Sequence, residues 1–295
     1  MIRFCTALLR GLISVWLAVT AAFFLLRILP GDAVQAQAAQ AGMASSAVEE
    51  RRQALGLNRP LLEQYGTYLG GIAQGDLGVS IVSSENVSQI LWSRGVGTLR
   101  LALSALVLSI GIGIGLGTAA GISHYSISGR LWREGIDLLI AVPIYISGTL
   151  MVMSGVITDG LGAALVLGLH SAAPIANTLS LALLNESGQG YVVVASAKGL
   201  SDWTIIWRHR VRAVLHTIVP VISIQTGFLL GGTVITETIF SQSGLGQSLL
   251  DGVMRRDYPV VQGWVLLMAI CQAVIYGLTE MAGYWLDPRQ RGDAV

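Results

Sequence analysis

Lys198 is the only lysine in the chain, and Gly199 follows it. A phosphate-cradling loop needs lysine followed by serine or threonine after its glycines, so a standard nucleotide-binding loop has no place here. The four histidines, His124, His170, His209 and His216, lack metal-ligand spacing. Cys5 and Cys271 sit in or beside apolar runs, which implies neither a disulfide framework nor a thiolate metal site. Ser154 and His170 are the nucleophile and base that a wet membrane cavity would have to bring together, yet no recognisable catalytic motif surrounds them. Asp137 and Glu280 lie near the ends of apolar runs, away from the midplane where ion-coupled carriers place carboxylates. The other polar groups inside apolar stretches are mainly uncharged: Thr149, Asn177, Ser180, Ser223, Gln225 and Thr226. They suit a weakly polar conduit; no catalytic residue, metal site or bound cofactor is expected in this chain.

The elements that hold these groups read as membrane helices. With 53% hydrophobic and 12% charged residues and a mean hydropathy of +0.66, the chain fits an all-α polytopic membrane protein. A net charge of +1 gives no concentrated basic face for nucleic acid. The run Gly11 to Leu29 lacks a small-residue cleavage site, so it is expected to stay as a first span and not to be cleaved as a signal peptide. A polar region follows to about Arg94, with a short helix from Ser45 or Ser46 through Leu55 and another from Pro60 through Tyr68.

Further spans are predicted at about Leu99 to Ile122, Ile136 to Ile157 with an interruption at Pro143, Leu161 to Leu184, Leu215 to Thr233 and Val260 to Gly283. His124 to Glu134 reads as a short basic loop, and Thr236 to Tyr258 as an external re-entrant or interfacial segment too polar to cross lipid. In the second span Gly113, Gly117 and Gly121 repeat every four residues, as do Gly111 and Gly115, so two faces allow close backbone approach. The expected organisation is a first membrane helix over 1–30, an external helical insert over 31–95, a core over 96–286 and a tail over 287–295.

Tyr191 to Pro220 is the one charged, helix-like segment in the second half flanked by long apolar runs. A first helix through Lys198 ends at Gly199, which takes the left-handed conformation at little cost. Ser201 or Asp202 then caps a second helix, with Trp203, Ile206, Trp207, Val211 and Val214 on one face and Arg208, His209 and Arg212 on the other. That is the pattern of an interfacial helix.

Tyr191, Ala195, Ala197-Lys198-Gly199-Leu200-Ser201 and Arg208-His209, with Arg212, resemble the coupling loop of ATP-binding-cassette importer permeases of the dipeptide, oligopeptide and nickel branch. The runs Arg27 to Asp32, Leu55 to Leu61, Gly75-Asp76-Leu77-Gly78, Glu237 to Ser241 and Arg256 to Gly263 resemble the same family. The resemblance implies about six spans, a multi-pass location in a bacterial inner membrane and a cytoplasmic coupling loop over 190–213. It also implies a homologous second permease subunit, two separate ATPase subunits that hold ATP and magnesium, and an extracytoplasmic substrate-binding protein. Within the loop, Tyr191, Ala195, Ala197, Lys198, Gly199, Leu200, Ser201, His209 and Arg212 are the expected ATPase-coupling residues. The cargo is expected to be a peptide, or nickel or a metal chelate; the rival class is a secondary transporter or channel not driven by ATP. The chain departs from the family at Val193, Val194 and Ser196, which make the first helix more apolar, and in a longer interval from Arg212 to Pro220.

Overall fold

The computed structural model describes residues 2–28, 34, 38 and 45–286. The tail at 287–295 and Leu29 to Asp32 lie outside them. In chain order the helices are α1 (Ile2–Ile28), α2 (Ser45–Ala54), α3 (Leu61–Ala73), α4 (Val87–Ile122), α5 (Ile127–Ala141), α6 (Ile144–Ser154), α7 (Gly160–Glu186) and α8 (Gly190–Ala197). They continue with α9 (Asp202–Ile239), α10 (Leu245–Met254) and α11 (Tyr258–Leu286). Extended pairing among the described residues is limited to one isolated bridge between Val79 and Asn86.

Several boundaries differ from the expected ones. The second span begins at Val87, so α4 takes up Arg94 and Arg100 before its apolar run. Most of the expected basic loop after it is helical: it forms the first half of α5, capped by Ser126, whose Oγ accepts from the Gly129 N–H at 3.1 Å, and α5 runs on into the start of the expected third span. The expected polar segment from Thr236 is also largely helical: Thr236 to Ile239 finish α9, and Leu245–Met254 form α10. Its acidic residues are not all in water, since Glu237 and Asp257 are buried at 1% and 4% exposure.

The chain divides into two compact units. One comprises Met1–Thr98 and Ser243–Ala273. Here Phe23 is fully buried against Tyr65 and Tyr68 of α3. The Arg27 guanidinium lies 3.6 Å from the Phe23 ring centroid, and its Nε donates to Gln64 at 3.0 Å. Asp257 accepts from the Ser80 hydroxyl and, at 3.1 Å, from the Ile81 N–H. Leu245 N–H donates to Thr98 at 2.7 Å, beside an apolar cluster of Val87, Leu91, Leu245 and Val260.

The other unit comprises Leu99–Gln242 and Val274–Val295. Its centre is α7, buried along most of its length and continuous through Pro174. Small residues bring α4 onto it: a Cβ on Gly117 would stand 2.7 Å from the Ala176 carbonyl oxygen, and one on Gly113 or Gly121 would meet Ile175 or Leu183 at 2.9 Å. Gly168 of α7 returns the contact against Ala105 and Leu108. The second glycine face, Gly111 and Gly115, meets nothing within 4 Å.

These contacts fix the direction of travel. Residue numbers rise together along α4 and α7, so the two helices are parallel, and the chain between them must cross back before α7 begins. That crossing falls to α5 and α6, which bend by 96° at Val142-Pro143. Among the described residues, five helices are long and apolar enough to span a bilayer singly, and the bent pair makes a sixth crossing. Opposite α7, α9 runs antiparallel: Val214 and Ile218 pack with Leu179 and Leu183, while Gly232 meets Leu167.

Candidate functional site

The antiparallel pair α7 and α9 is joined at one end by residues 187–201, which hold α8. Three consecutive β-branched residues, Val192 to Val194, disfavour a long helix here, and α8 stops after eight residues. Its end is closed by two reverse bonds, Leu200 N–H to Ala195 O at 3.3 Å and Gly199 N–H to Ser196 O at 2.9 Å. Gly199 adopts φ +75, the left-handed conformation that this closure requires. Ser201 then caps α9: its Oγ accepts from the Thr204 N–H at 3.4 Å and lies 2.9 Å from the Thr204 hydroxyl.

The second arm differs from the expected interfacial helix in two ways. It is no separate helix, because α9 runs unbroken from Asp202 into the fifth span. Within it, Ile205–Val211 form a π-helical segment, a wider turn that bonds five residues apart. The expected apolar face is consequently split. Ile206, Val211 and Val214 pack against Leu179 and Leu183 of α7, whereas Trp203 and Trp207 stand exposed with ring centroids 5.4 Å apart.

Of the coupling residues named from sequence, Tyr191, Ala197, Lys198, Gly199, Leu200, Ser201 and Arg212 are exposed. His209 is half-buried, and Ala195 is buried, turned toward the rest of its own chain. The outward surface is therefore Tyr191, Val193, Val194 and Ser196 to Ser201, an apolar and small-residue patch carrying the single lysine.

Two residues that sequence reasoning left out tie this loop down. The Tyr191 hydroxyl donates to the Glu186 carboxylate in the last turn of α7. Burial, with that hydrogen bond and the Glu186 charge, pushes the Tyr191 phenol up to about 12, so it stays protonated and able to donate at physiological pH. Arg210 donates to the Leu183 carbonyl at 2.6 Å, one of the end carbonyls of α7 that lack a helical partner. A cation there also meets the negative end of the helix dipole. The available sequence signal was a cation between buried Ile206 and Val211.

The uncharged polar residues separate into two groups. Asn177 is exposed on α7, and Ser223, Gln225 and Thr226 are half-buried on α9 at similar depth. Ser180 is buried with its hydroxyl unpaired, and Thr226 bonds back to the Ile222 carbonyl at 2.8 Å. Thr149 is exposed on α6 beside Gly148, which packs on Ile239 and Phe240. That contact places Thr149 roughly 24 Å along α9 from Ser223 at 1.5 Å per residue. The Ser154 and His170 pair is not assembled: Ser154 donates to Met151 O at 2.7 Å, while His170 Nε2 lies 3.0 Å from Val142 O and 3.4 Å from Ser147 Oγ.

Comparison with known proteins agrees with this arrangement. Residues 111–292 match the family described as the binding-protein-dependent transport system inner membrane component, and residues 1–102 match the N-terminal membrane component of such systems. The chain is 31% identical over 333 aligned positions to the di/tripeptide transport system permease protein DppB of Pseudomonas aeruginosa, covering 99% of each chain. It is 32% identical over 289 positions to the glutathione transport system permease protein GsiC of Escherichia coli, covering 92% of each. The first alignment is longer than this chain's 295 residues, so that relative carries insertions absent here. Among solved structures, a chain of the inward-facing MetNI methionine ABC transporter superposes with a TM-score of 0.60 at 19% identity, over 68% of this chain and 97% of that one, which is a likeness of fold. This chain belongs to the binding-protein-dependent transport system inner membrane components, as a multi-pass permease subunit of an ABC importer.

Proposed function

We propose that this permease carries short peptides, with di- and tripeptides and glutathione as the first candidates, and that loop 190–201 docks on a separate ATPase subunit. The relatives named for di/tripeptide and glutathione transport support the cargo class. The observation that carries the docking role is the loop itself: an exposed patch closed at Gly199 and held to the last turn of α7 through Tyr191 and Arg210. A homologous second permease subunit completes the path at a shared interface, and an extracytoplasmic binding protein delivers the cargo. Two ATPases hold ATP and magnesium, since this chain's single lysine precedes glycine and forms no phosphate loop.

In a bacterial inner membrane the loop faces the cytosol. Closure of the ATPases on ATP draws the coupling loops together, and the spans shift between inward and outward access as a two-state equilibrium biased by those contacts. The uncharged polar residues of α7 and α9 fit a path whose selectivity resides in the binding protein.

The test of cargo is ligand identification on the cognate binding protein by native mass spectrometry, followed by uptake of the identified compound in cells with and without this permease. A short peptide or glutathione, with uptake lost on deletion, is the expected result. A nickel complex or another metal chelate on the binding protein overturns the peptide assignment and leaves the docking role standing.

A further inference from the structure

We propose that the π-helical segment Ile205–Val211 transmits movement of the docking loop to the fifth span, and that Arg210 is the positioning residue that sets its register. The inference rests on the reading of 190–201 as the ATPase-docking loop.

Three observations carry it. First, the 38-residue helix α9 is α-helical on both sides of this segment. A π turn embedded in this way amounts to an extra residue, and such turns concentrate at functional positions. Second, the extra residue is what aligns two apolar stripes. Val211, Val214 and Ile218 follow ordinary spacings of three and four residues, but Ile206 lies five residues before Val211, and all four pack in one cluster with Leu179 and Leu183. At the roughly 100° per residue of an α-helix, five residues would leave Ile206 about 140° from Val211, pointing away from α7. The wider turn returns it to the same face.

Third, Arg210 lies inside the segment and reaches across to α7. Its guanidinium donates to Leu183 O at 2.6 Å, and its charge also acts on the Tyr191 phenol. One side chain thereby links the π segment, the last turn of α7 and the base of α8.

A π turn has a discrete alternative. Conversion to α pitch turns everything on its N-terminal side by about 100° and shifts it by about 1.5 Å relative to the following span. Ser201, Trp203 and the Gly199 closure lie on that side, and Val214 to Ile239 on the other. In the converted state Ile206 leaves Leu179 and Leu183, and Arg210 leaves the Leu183 carbonyl. A pull on the loop is then answered by a register change, because packed helices have alternative arrangements and do not deform continuously.

The test uses the whole importer, with its partner ATPases and binding protein, in proteoliposomes. Deleting exposed Arg208 brings Ile206 and Val211 to a four-residue spacing, which keeps both on α7 in a plain α-helix and removes the extra residue. The deletion variant is expected to assemble with the ATPases and hydrolyse ATP, with cargo moved per ATP lowered at least tenfold. Arg210→Met is expected to lower the same ratio, and Arg210→Lys, which keeps a cation for the Leu183 carbonyl, to recover part of it. A wild-type ratio in the Arg208 deletion overturns the proposal. Loss of ATPase from the purified complex of that variant also overturns it, by assigning the segment to docking and not to transmission. A crosslink from Ala197→Cys to the ATPase reports on docking separately: its absence in otherwise unmodified importer overturns the docking reading itself.

Discussion

The residue with the clearest chemical signature is Tyr191. Its hydroxyl donates to Glu186, and its phenol is raised from an ordinary value of 10.0 to about 12, chiefly by burial and next by that bond. A raised acid pKa means that the folded loop favours the protonated form. Its stabilising contribution is complete below the ordinary value and disappears as pH rises through about 12. Absorbance titration of tyrosinate, taken as the difference between wild type and Tyr191→Phe, is expected to show this residue ionising near 12; ionisation near 10 would contradict the tie to Glu186. Tyr191 itself was legible in the sequence through its family motif. Its partner was not, because Glu186 sits outside that motif and becomes a neighbour only when the chain turns back at residues 187–190. Ala195 was legible as part of the loop, but its inward direction follows from packing that no local pattern encodes.

Among the elements, the glycine helix α4 shows how far a sequence pattern reaches. Two four-residue repeats announced two close-packing faces, and the fold uses one of them within the chain, Gly113, Gly117 and Gly121 against α7. Gly117→Val places a branched side chain where a Cβ alone would be 2.7 Å from Ala176 O. A cost of about 1–3 kcal/mol is expected, seen as a lower melting temperature of the detergent-purified protein, whereas Gly111→Val should melt like wild type. Equal melting of the two variants would contradict the α4–α7 register. The first half of helix α5 was missed because Arg130, Arg133 and Glu134 depress its hydropathy, although Ser126 supplied a readable cap; its last residues, 136–141, fall in the predicted third span. The π segment was beyond sequence reading for another reason: the five-residue step from Ile206 to Val211 acquires meaning only when α7 is opposite both.

For the whole molecule, helical class and most spans were plain from hydropathy, and the unsettled matter was the bent pair α5–α6. Its crossing follows from the parallel course of α4 and α7. Cysteine labelling in intact membranes tests this on a background without native thiols: Tyr125→Cys and Lys198→Cys should react from one side and Thr158→Cys from the other. Labelling of Tyr125→Cys and Thr158→Cys from one side, with Lys198→Cys from the other, would make the pair re-entrant and remove the sixth crossing.

The central claim is that the loop closed at Gly199 carries the work of ATP into the membrane helices. Gly199 is exposed, a Cβ there would touch nothing within 4 Å, and φ is +75, so a β-branched residue strains the loop's closure by about 1–3 kcal/mol without crowding the membrane core. The decisive measurement is cargo uptake per ATP hydrolysed by reconstituted importer carrying Gly199→Val. The expected result is an assembled complex that still hydrolyses ATP and moves at least tenfold less cargo for each one; wild-type uptake at wild-type ATP cost would rule out coupling through this loop.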